Sequence, residues 1–398
     1  MAITKERIAL TGNEAISMAM KQINPDVCAA YPITPATEVM QIFATYVADG
    51  LVDTELVTVE SEHSAMSATI GAAAAGARSM TCTSSQGLAL MWEMLYIAAG
   101  LRLPIVMPMV NRALSSPINI HCDHSDSMGA RDAGWVQINS ENGQEAYDNL
   151  IQAMRIAEHP DVLLPTMVTY DGFIISHAME PVDIYSAEDV QSFIGPYKPL
   201  YSVLDIDHPI TVGALDFTDY YFEHRRALAE PMLNGALRVI EEVSVDFAKK
   251  FGRKYDLFES YKMDDAEVAI VVLGSTAGTA KVVIDELRSK GVKAGMIKIR
   301  VFRPFPYKEL AKALNGVKAV AALDRSDGLA GFGGPVFGEV RSALYDSDKR
   351  PVTVDYVYGL GGRDINMDHI STVYSDLLAI VREGKTPSQL VKYLGVRE

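Results

Sequence analysis

Four short motifs hold the residue types best suited to chemistry: YPITP (Tyr31–Pro35), VESEHSA (Val59–Ala65), TSSQG (Thr83–Gly87) and NRALSSP (Asn111–Pro117). Between them they offer a carboxylate at Glu62, a guanidinium at Arg112 and hydroxyls at Thr34, Ser84 and Ser85, a set able to handle a proton and hold an anion. Each also has a plainer use. An acid in the first turn of a helix, as Glu62 would be, offsets the macrodipole without any ligand. Arg112 could pair with Asp123 or Asp126, and Thr34 could cap the helix that follows it. TSSQG could present backbone amides to a cofactor or anion, or be an ordinary capped turn. The two prolines around Ile33 and Thr34 stiffen the tip and push Tyr31 and Thr34 toward extended backbone, whether for a ligand or only to start a helix. A fifth cluster, His121, Asp123, His124 and Asp126, has the composition of a metal site. Its spacing does not put all four on one helical or strand face, so a polar loop beside the pocket fits it better. His63, beside Glu62, fits contact with solvent or a partner.

The elements that would position these motifs follow an α/β alternation. Strands are expected at Val27–Tyr31, Leu56–Val59, Ser79–Thr83, Ile105–Val110 and Leu163–Val168, with helices starting near Gly12, Pro35, Ser61, Gly87 and Gly143. Parallel strands joined by crossover helices bring their carboxyl ends to one edge, so the four motifs, each following a strand, would share one pocket. The helix SAMSATIGAAAAGA is small enough in side chain for close approach. From Asp171 to about Ile210 the pattern weakens into an irregular surface excursion, and a helical pattern resumes from Arg225 to Phe251. The expected division is a first domain over 1–250, a linker over 251–265 and a second α/β domain over 266–398, beginning with VAIVVLG (Val268–Gly274). In that domain GSTAG (Gly274–Gly278) has the look of an anion loop, without the Lys-Ser/Thr ending of a phosphate loop. RVFRPFP (Arg300–Pro306) reads as a stiff turn.

At 398 residues the chain is longer than one core usually serves, and its net charge of −15 without a basic block argues against nucleic acid. Three cysteines, Cys28, Cys82 and Cys122, lie far apart in sequence; they suit a reducing cytoplasm and rule out four-cysteine ligation of an iron–sulfur cluster or structural zinc within this chain alone. No apolar stretch approaches a membrane span, and no leader-like region opens the chain, so a soluble cytoplasmic protein is expected.

Taken in order, the four motifs together with HCDHSDSMGARDAGW, YDGFIISH, RVFRPFP and YGLGGRDI resemble the alpha subunits of the 2-oxoacid:ferredoxin oxidoreductase family, the pyruvate:ferredoxin enzymes in particular. The resemblance spans essentially the whole chain. It implies a pyrimidine-type thiamin-diphosphate-binding parallel-sheet domain followed by a smaller transketolase C-terminal-like domain that supports assembly. The implied activity is thiamin-dependent oxidative decarboxylation of pyruvate to acetyl-CoA and CO2, with electrons passed to ferredoxin. It further implies that Glu62 hydrogen-bonds the cofactor's aminopyrimidine ring and so assists loss of the proton from thiamin's reactive carbon. A pocket dry enough to offset the helix dipole would let that acid share a proton, so Glu62 should be poorly solvated. Arg112 would bind the substrate carboxylate through its fork, with Thr34 at the same end of the substrate. Tyr31, Pro32, Ile33, Ser85 and Gln86 would contact the cofactor.

No Gly-Asp-Gly occurs, the usual mark of the diphosphate and magnesium site; Tyr170-Asp171-Gly172 reads instead as a strand end. The expectation is therefore a site shared between chains. This one would supply the pyrimidine and substrate wall, and beta, gamma and delta subunits would supply diphosphate, Mg2+ and 4Fe–4S clusters. Alone, the chain should be inactive. The substrate alternatives are 2-oxoisovalerate, 2-oxoglutarate or an aromatic 2-oxoacid, since a methylene or two is discriminated by only about 1–3 kcal/mol. A non-catalytic assembly subunit and a self-contained transketolase-like enzyme are the other readings; the trio Thr34, Glu62 and Arg112 argues against the first, the missing Gly-Asp-Gly against the second.

Overall fold

A computed structural model describes residues 5–329 and 331–397. The strands VMPMVN (Val106–Asn111) and TMVTYD (Thr166–Asp171) are buried along their whole length, as apolar strands covered on both faces must be. They lie at the centre of a seven-stranded sheet whose order is Val301–Arg303, Val136–Asn139, Thr166–Asp171, Val106–Asn111, Ser79–Met80, Val27–Ala30, Glu55–Thr58. All are parallel except Val301–Arg303, which runs antiparallel to Val136–Asn139. Side chains alternate across this sheet. Val106 and Val110 join the core under helices Gly12–Ile23 and Gly143–Ala157, whereas Met107 and Met109 join the core under Glu62–Ala74 and Trp92–Gly100.

A second sheet of six strands has the order Val391–Leu394, Val352–Tyr358, Ala319–Asp324, Val268–Val272, Ala294–Ile299, Phe258–Tyr261, with only the last antiparallel. Helices Thr276–Ser289 and Met367–Glu383 share one of its cores with Val268, Ile270 and Val272.

Several elements were not read from the sequence. Lys5–Thr11 and Met179–Tyr185 form a separate antiparallel ladder, and helix Ala187–Ile194 follows it, so the stretch expected to be irregular from Asp171 is ordered up to Ile194. These strands are half-exposed and interrupted by charge or by Pro181, which a two-stranded edge tolerates and a buried strand does not. Phe258–Tyr261 lies inside the expected linker and pairs with the second sheet. The RVFRPFP turn contains Val301–Arg303, which returns to the edge of the first sheet. The irregular chain falls later, over 195–220, and exposes Leu204, Ile206, Leu215 and Phe217. The expected helical run is two helices, Tyr221–Asn234 and Ala236–Phe251, divided at Gly235, where a Cβ would sit 2.7 Å from the Asp161 carbonyl.

Candidate active site

Ser61 ends the segment after strand Glu55–Thr58 and caps the next helix, accepting a hydrogen bond from the Ser64 amide at 3.2 Å. The cap places Glu62 at the first helical position, and the side chain is only 7% exposed. Among the described residues no side chain or amide hydrogen-bonds its carboxylate. A Cβ on Gly87 would lie 2.8 Å from Glu62 Oε1 and 2.3 Å from Thr83 Oγ1, so glycine there lets the TSSQG backbone close over the acid. Thr83 Oγ1 is itself buried without a hydrogen-bond partner among the described residues. The carboxylate oxygens of this largely buried residue are not fully occluded, so a ligand can reach them and supply the missing hydrogen bond. This is the donor set expected of a group that meets an aminopyrimidine ring nitrogen, and the residues present fit it.

Arg112 begins the segment after strand Val106–Asn111. Its Nε donates to the Asn119 carbonyl at 3.0 Å and its Nη1 to the Thr34 carbonyl at 2.9 Å. Among the described residues the guanidinium makes no ion pair: Asp126 meets only the Arg112 backbone amide, at 2.8 Å, and Asp123 binds elsewhere. Two carbonyls thus fix the plane of the fork while Nη2 remains open, an arrangement suited to a planar carboxylate. Burial lowers the Arg112 pKa, with the nearby Asp126 charge opposing. Thr34 meets Arg112 through its carbonyl; its side chain, like Tyr31 and Pro32, is exposed, and Ile33 is half-buried against the core.

Ser85 and Gln86 spend their polar groups on the neighbouring loop. The Ser85 hydroxyl donates to the Ala113 carbonyl at 2.5 Å, Gln86 Nε2 to Ser115 Oγ at 2.8 Å, and the Ser84 hydroxyl to the Val110 carbonyl at 2.7 Å. Holding all of this together is Asp126, fully buried. Its Oδ2 accepts from the Ser85 and Arg112 amides, and its Oδ1 from Asn111 Nδ2 and the Ser127 amide, all within 3.0 Å. Burial pushes its pKa up to about 7, against the pull of those donors. The four residues with metal-like composition therefore divide into separate roles. Asp126 braces loops, and His63, outside that cluster, pairs with Glu93 at 2.9 Å on the surface. His124 Nε2 meets Asp171 Oδ1 at 2.7 Å, His121 lies against Phe173, and Asp123 accepts from Ser125 and Gly361.

The anion held by the GSTAG loop is internal. Ser275 donates its hydroxyl to Asp171 Oδ2 at 2.5 Å and its amide at 3.1 Å, and Arg325 Nη1 reaches the same oxygen at 3.0 Å. Burial alone would raise Asp171, but His124 and Arg325 outweigh it and hold the carboxyl well below its ordinary value. Strand ends of the two sheets therefore face each other. Asp171, closing a strand of the first sheet, is gripped by the loops after Val268–Val272 and Ala319–Asp324 of the second.

The family model for pyruvate flavodoxin/ferredoxin oxidoreductase, the thiamine-diphosphate-binding part, matches residues 18–243, and that for pyruvate:ferredoxin oxidoreductase core domain II matches 266–370. The chain belongs to the pyruvate:ferredoxin oxidoreductase family. Among curated relatives, the Thermotoga maritima pyruvate synthase subunit PorA is 56% identical over 99% of this chain and 99% of its own length. The Pyrococcus horikoshii ketoisovalerate oxidoreductase subunit VorA is 43% identical over 96% of this chain and 97% of its own. A solved 2-oxoglutarate:ferredoxin oxidoreductase from Magnetococcus marinus, with 2-oxoglutarate, coenzyme A and succinyl-CoA bound, shares the fold at a TM-score of 0.72 and 21% identity. That match covers 94% of this chain and 65% of that one. As a pyruvate:ferredoxin oxidoreductase family member, the chain carries the thiamin-type first domain expected from its motifs.

Four residues that brace the loops around the candidate site were given no such role from the sequence: Asn111, Asn119, Asp171 as an anion, and Arg325. Asn119 and Arg325 carry no local signal. Their importance comes from contacts across 242 and 154 positions of chain.

Proposed function

We propose that this chain is the subunit of a 2-oxoacid:ferredoxin oxidoreductase that binds the thiamin pyrimidine and the substrate carboxylate, with pyruvate as the substrate. The observation that carries the reading is Glu62, buried at a helix start under Gly87 with no hydrogen-bond partner for its carboxylate among the described residues. Bound thiamin diphosphate would supply the electron sink for cleavage beside a ketone. Glu62 would hold a proton at the pyrimidine ring nitrogen, and the apolar helix behind it would keep water from competing. Arg112, with its plane set by the Thr34 and Asn119 carbonyls, would orient the substrate carboxylate through Nη2. Because that carboxylate leaves as CO2, one fork in a partly polar setting suits the task better than a cage of cations. Tyr31, Pro32, Ile33, Ser85 and Gln86 would shape the cofactor's surroundings.

The chain's acids offer no Gly-Asp-Gly set for magnesium, and its three cysteines are too few for a four-cysteine cluster site. Diphosphate, Mg2+ and the 4Fe–4S clusters are therefore assigned to beta, gamma and delta partner chains, with coenzyme A taking the acyl group and ferredoxin the electrons, in the cytoplasm. Among the described residues no helix is long and apolar enough to cross a membrane. 2-Oxoisovalerate is the second substrate reading, favoured by the likeness to a ketoisovalerate oxidoreductase subunit.

The test is co-expression with the neighbouring subunits, followed by reduction of ferredoxin or a viologen dye with a panel of 2-oxoacids, with and without coenzyme A. Pyruvate should give the highest kcat/KM, and a preference for 2-oxoisovalerate would replace it. Dye reduction by no 2-oxoacid would remove the proposal.

A further inference from the structure

Arg112 is steered by two carbonyls, and they belong to differently anchored pieces of chain. The Thr34 carbonyl comes from the proline-flanked tip of the first sheet. The Asn119 carbonyl comes from a loop whose support lies in the second domain. Asn119 Nδ2 donates to the Gly361 carbonyl at 3.0 Å, the Gly361 amide donates to Asp123 Oδ2 at 3.1 Å, and the Gly362 amide donates to the Cys122 carbonyl at 2.7 Å. Asn119 Oδ1 closes the turn by accepting from the His121 amide at 2.7 Å.

The second-domain side of this contact requires glycine. Gly361 and Gly362 have φ of 59° and 78°, where other residues are strained. A Cβ would fall 2.5 Å from Asn119 Nδ2 at the first and 2.4 Å from His121 Cβ at the second. The turn follows strand Val352–Tyr358, whose core is separate from that of the first sheet. A displacement of that strand end would move Asn119 and tilt the guanidinium plane, while Thr34 stayed in place.

We propose that the double-glycine turn of the second domain, acting through Asn119, sets the orientation of the Arg112 guanidinium and with it the affinity for the 2-oxoacid carboxylate. Asn119 and Gly361 are on this view positioning residues, and the proposal rests on the reading of Arg112 given above. It assigns the second domain a part in substrate binding beyond assembly.

The experiment is a double-mutant cycle in the assembled complex with pyruvate as substrate. Arg112→Lys, Gly361→Ala and their combination would be compared by KM and kcat, with thermal unfolding of each complex as a control. Binding of oxamate, which carries the carboxylate, would be set against binding of neutral pyruvamide. Lost ground-state orientation raises KM more than it lowers kcat. Gly361→Ala should therefore raise KM about tenfold, change kcat less than about twofold, and weaken oxamate but not pyruvamide. In the Arg112→Lys background it should add less than about twofold, because its route of action is already cut. An unchanged KM, a full additional tenfold in the Arg112→Lys background, or equal weakening of the neutral analogue would overturn the proposal. Should the Gly361→Ala complex not assemble, Asn119→Asp decides. It keeps the acceptor for His121, removes the donor to Gly361, and should show the same KM-specific defect; a normal KM would overturn the proposal. An unchanged KM in Arg112→Lys alone would instead refute the reading of Arg112, and the proposal would fall with it.

Discussion

The two sheets end in loops of opposite character. At the carboxyl edge of the first, Glu62 and Arg112 Nη2 are left without protein partners among the described residues, although both side chains are at most 7% exposed. At the matching edge of the second, the polar groups are largely paired, with Asp355 Oδ1 the buried exception among the described residues. Ser275 and Arg325 hold Asp171, while Asp324 accepts from the Val336 and Phe337 amides at 2.8 and 2.9 Å. Both edges follow the same strand–loop–helix construction, so topology does not tell them apart. What separates them is whether the polar groups are paired from within: at the first edge the Glu62 carboxylate and Arg112 Nη2 stay open to solvent, where a ligand or partner can take them. The first edge is built to bind and the second to brace.

If that contrast is right, substitutions at the first edge should damage turnover with little loss of stability, and substitutions at the second should do the reverse. Glu62→Gln removes a proton-handling group whose carboxylate no described residue hydrogen-bonds. We expect kcat to fall about 10³-fold with subunit composition and melting temperature unchanged, measured by dye reduction and calorimetry. Arg325→Met strips the cation from a buried carboxylate and should cost about 3–5 kcal/mol in chemical denaturation. A loss under 1 kcal/mol would show that the second edge is not braced by that pair. Arg112→Lys replaces a fork by a point charge, and kcat/KM should fall about 10- to 100-fold, mostly through KM.

Asp126 belongs to the first sheet's loops yet is fully satisfied, and so it sharpens the comparison. Asp126→Asn offers an amide to donors that need an acceptor and should cost about 1–3 kcal/mol. Its pH signature has a definite sign. Folding raises this carboxyl from 3.8 to about 7, so the folded chain binds its proton more tightly than the unfolded chain does. Its contribution to stability is therefore complete below pH 3.8 and is lost as pH rises through about 7. Wild-type stability measured relative to Asp126→Asn should fall across that window, and a flat difference would contradict the shift.

The fully buried strands and the helices between them were legible because apolar runs such as VAIVV and VMPMV have no other stable placement. The half-exposed strands Lys5–Thr11 and Met179–Tyr185 were not, since each draws its pattern from a single partner and solvent. Within the site, Thr34, Glu62 and Arg112 stood out by motif. The roles of Asp126, Asn119 and Arg325 are set by loops meeting from distant parts of the chain, which no local spacing records. GSTAG shows the same limit from the other side: its anion-binding form was visible, but that its anion is Asp171 was not.

The central claim is that this chain provides one wall of a thiamin site completed by another chain. Its most direct test is pyruvate-dependent viologen reduction by the purified chain alone, supplied with thiamin diphosphate, Mg2+ and coenzyme A, and again after mixing with its partner subunits. The expected result is no turnover alone and full turnover on mixing, with Glu62→Gln about 10³-fold slower after mixing. Turnover by the chain alone would contradict it.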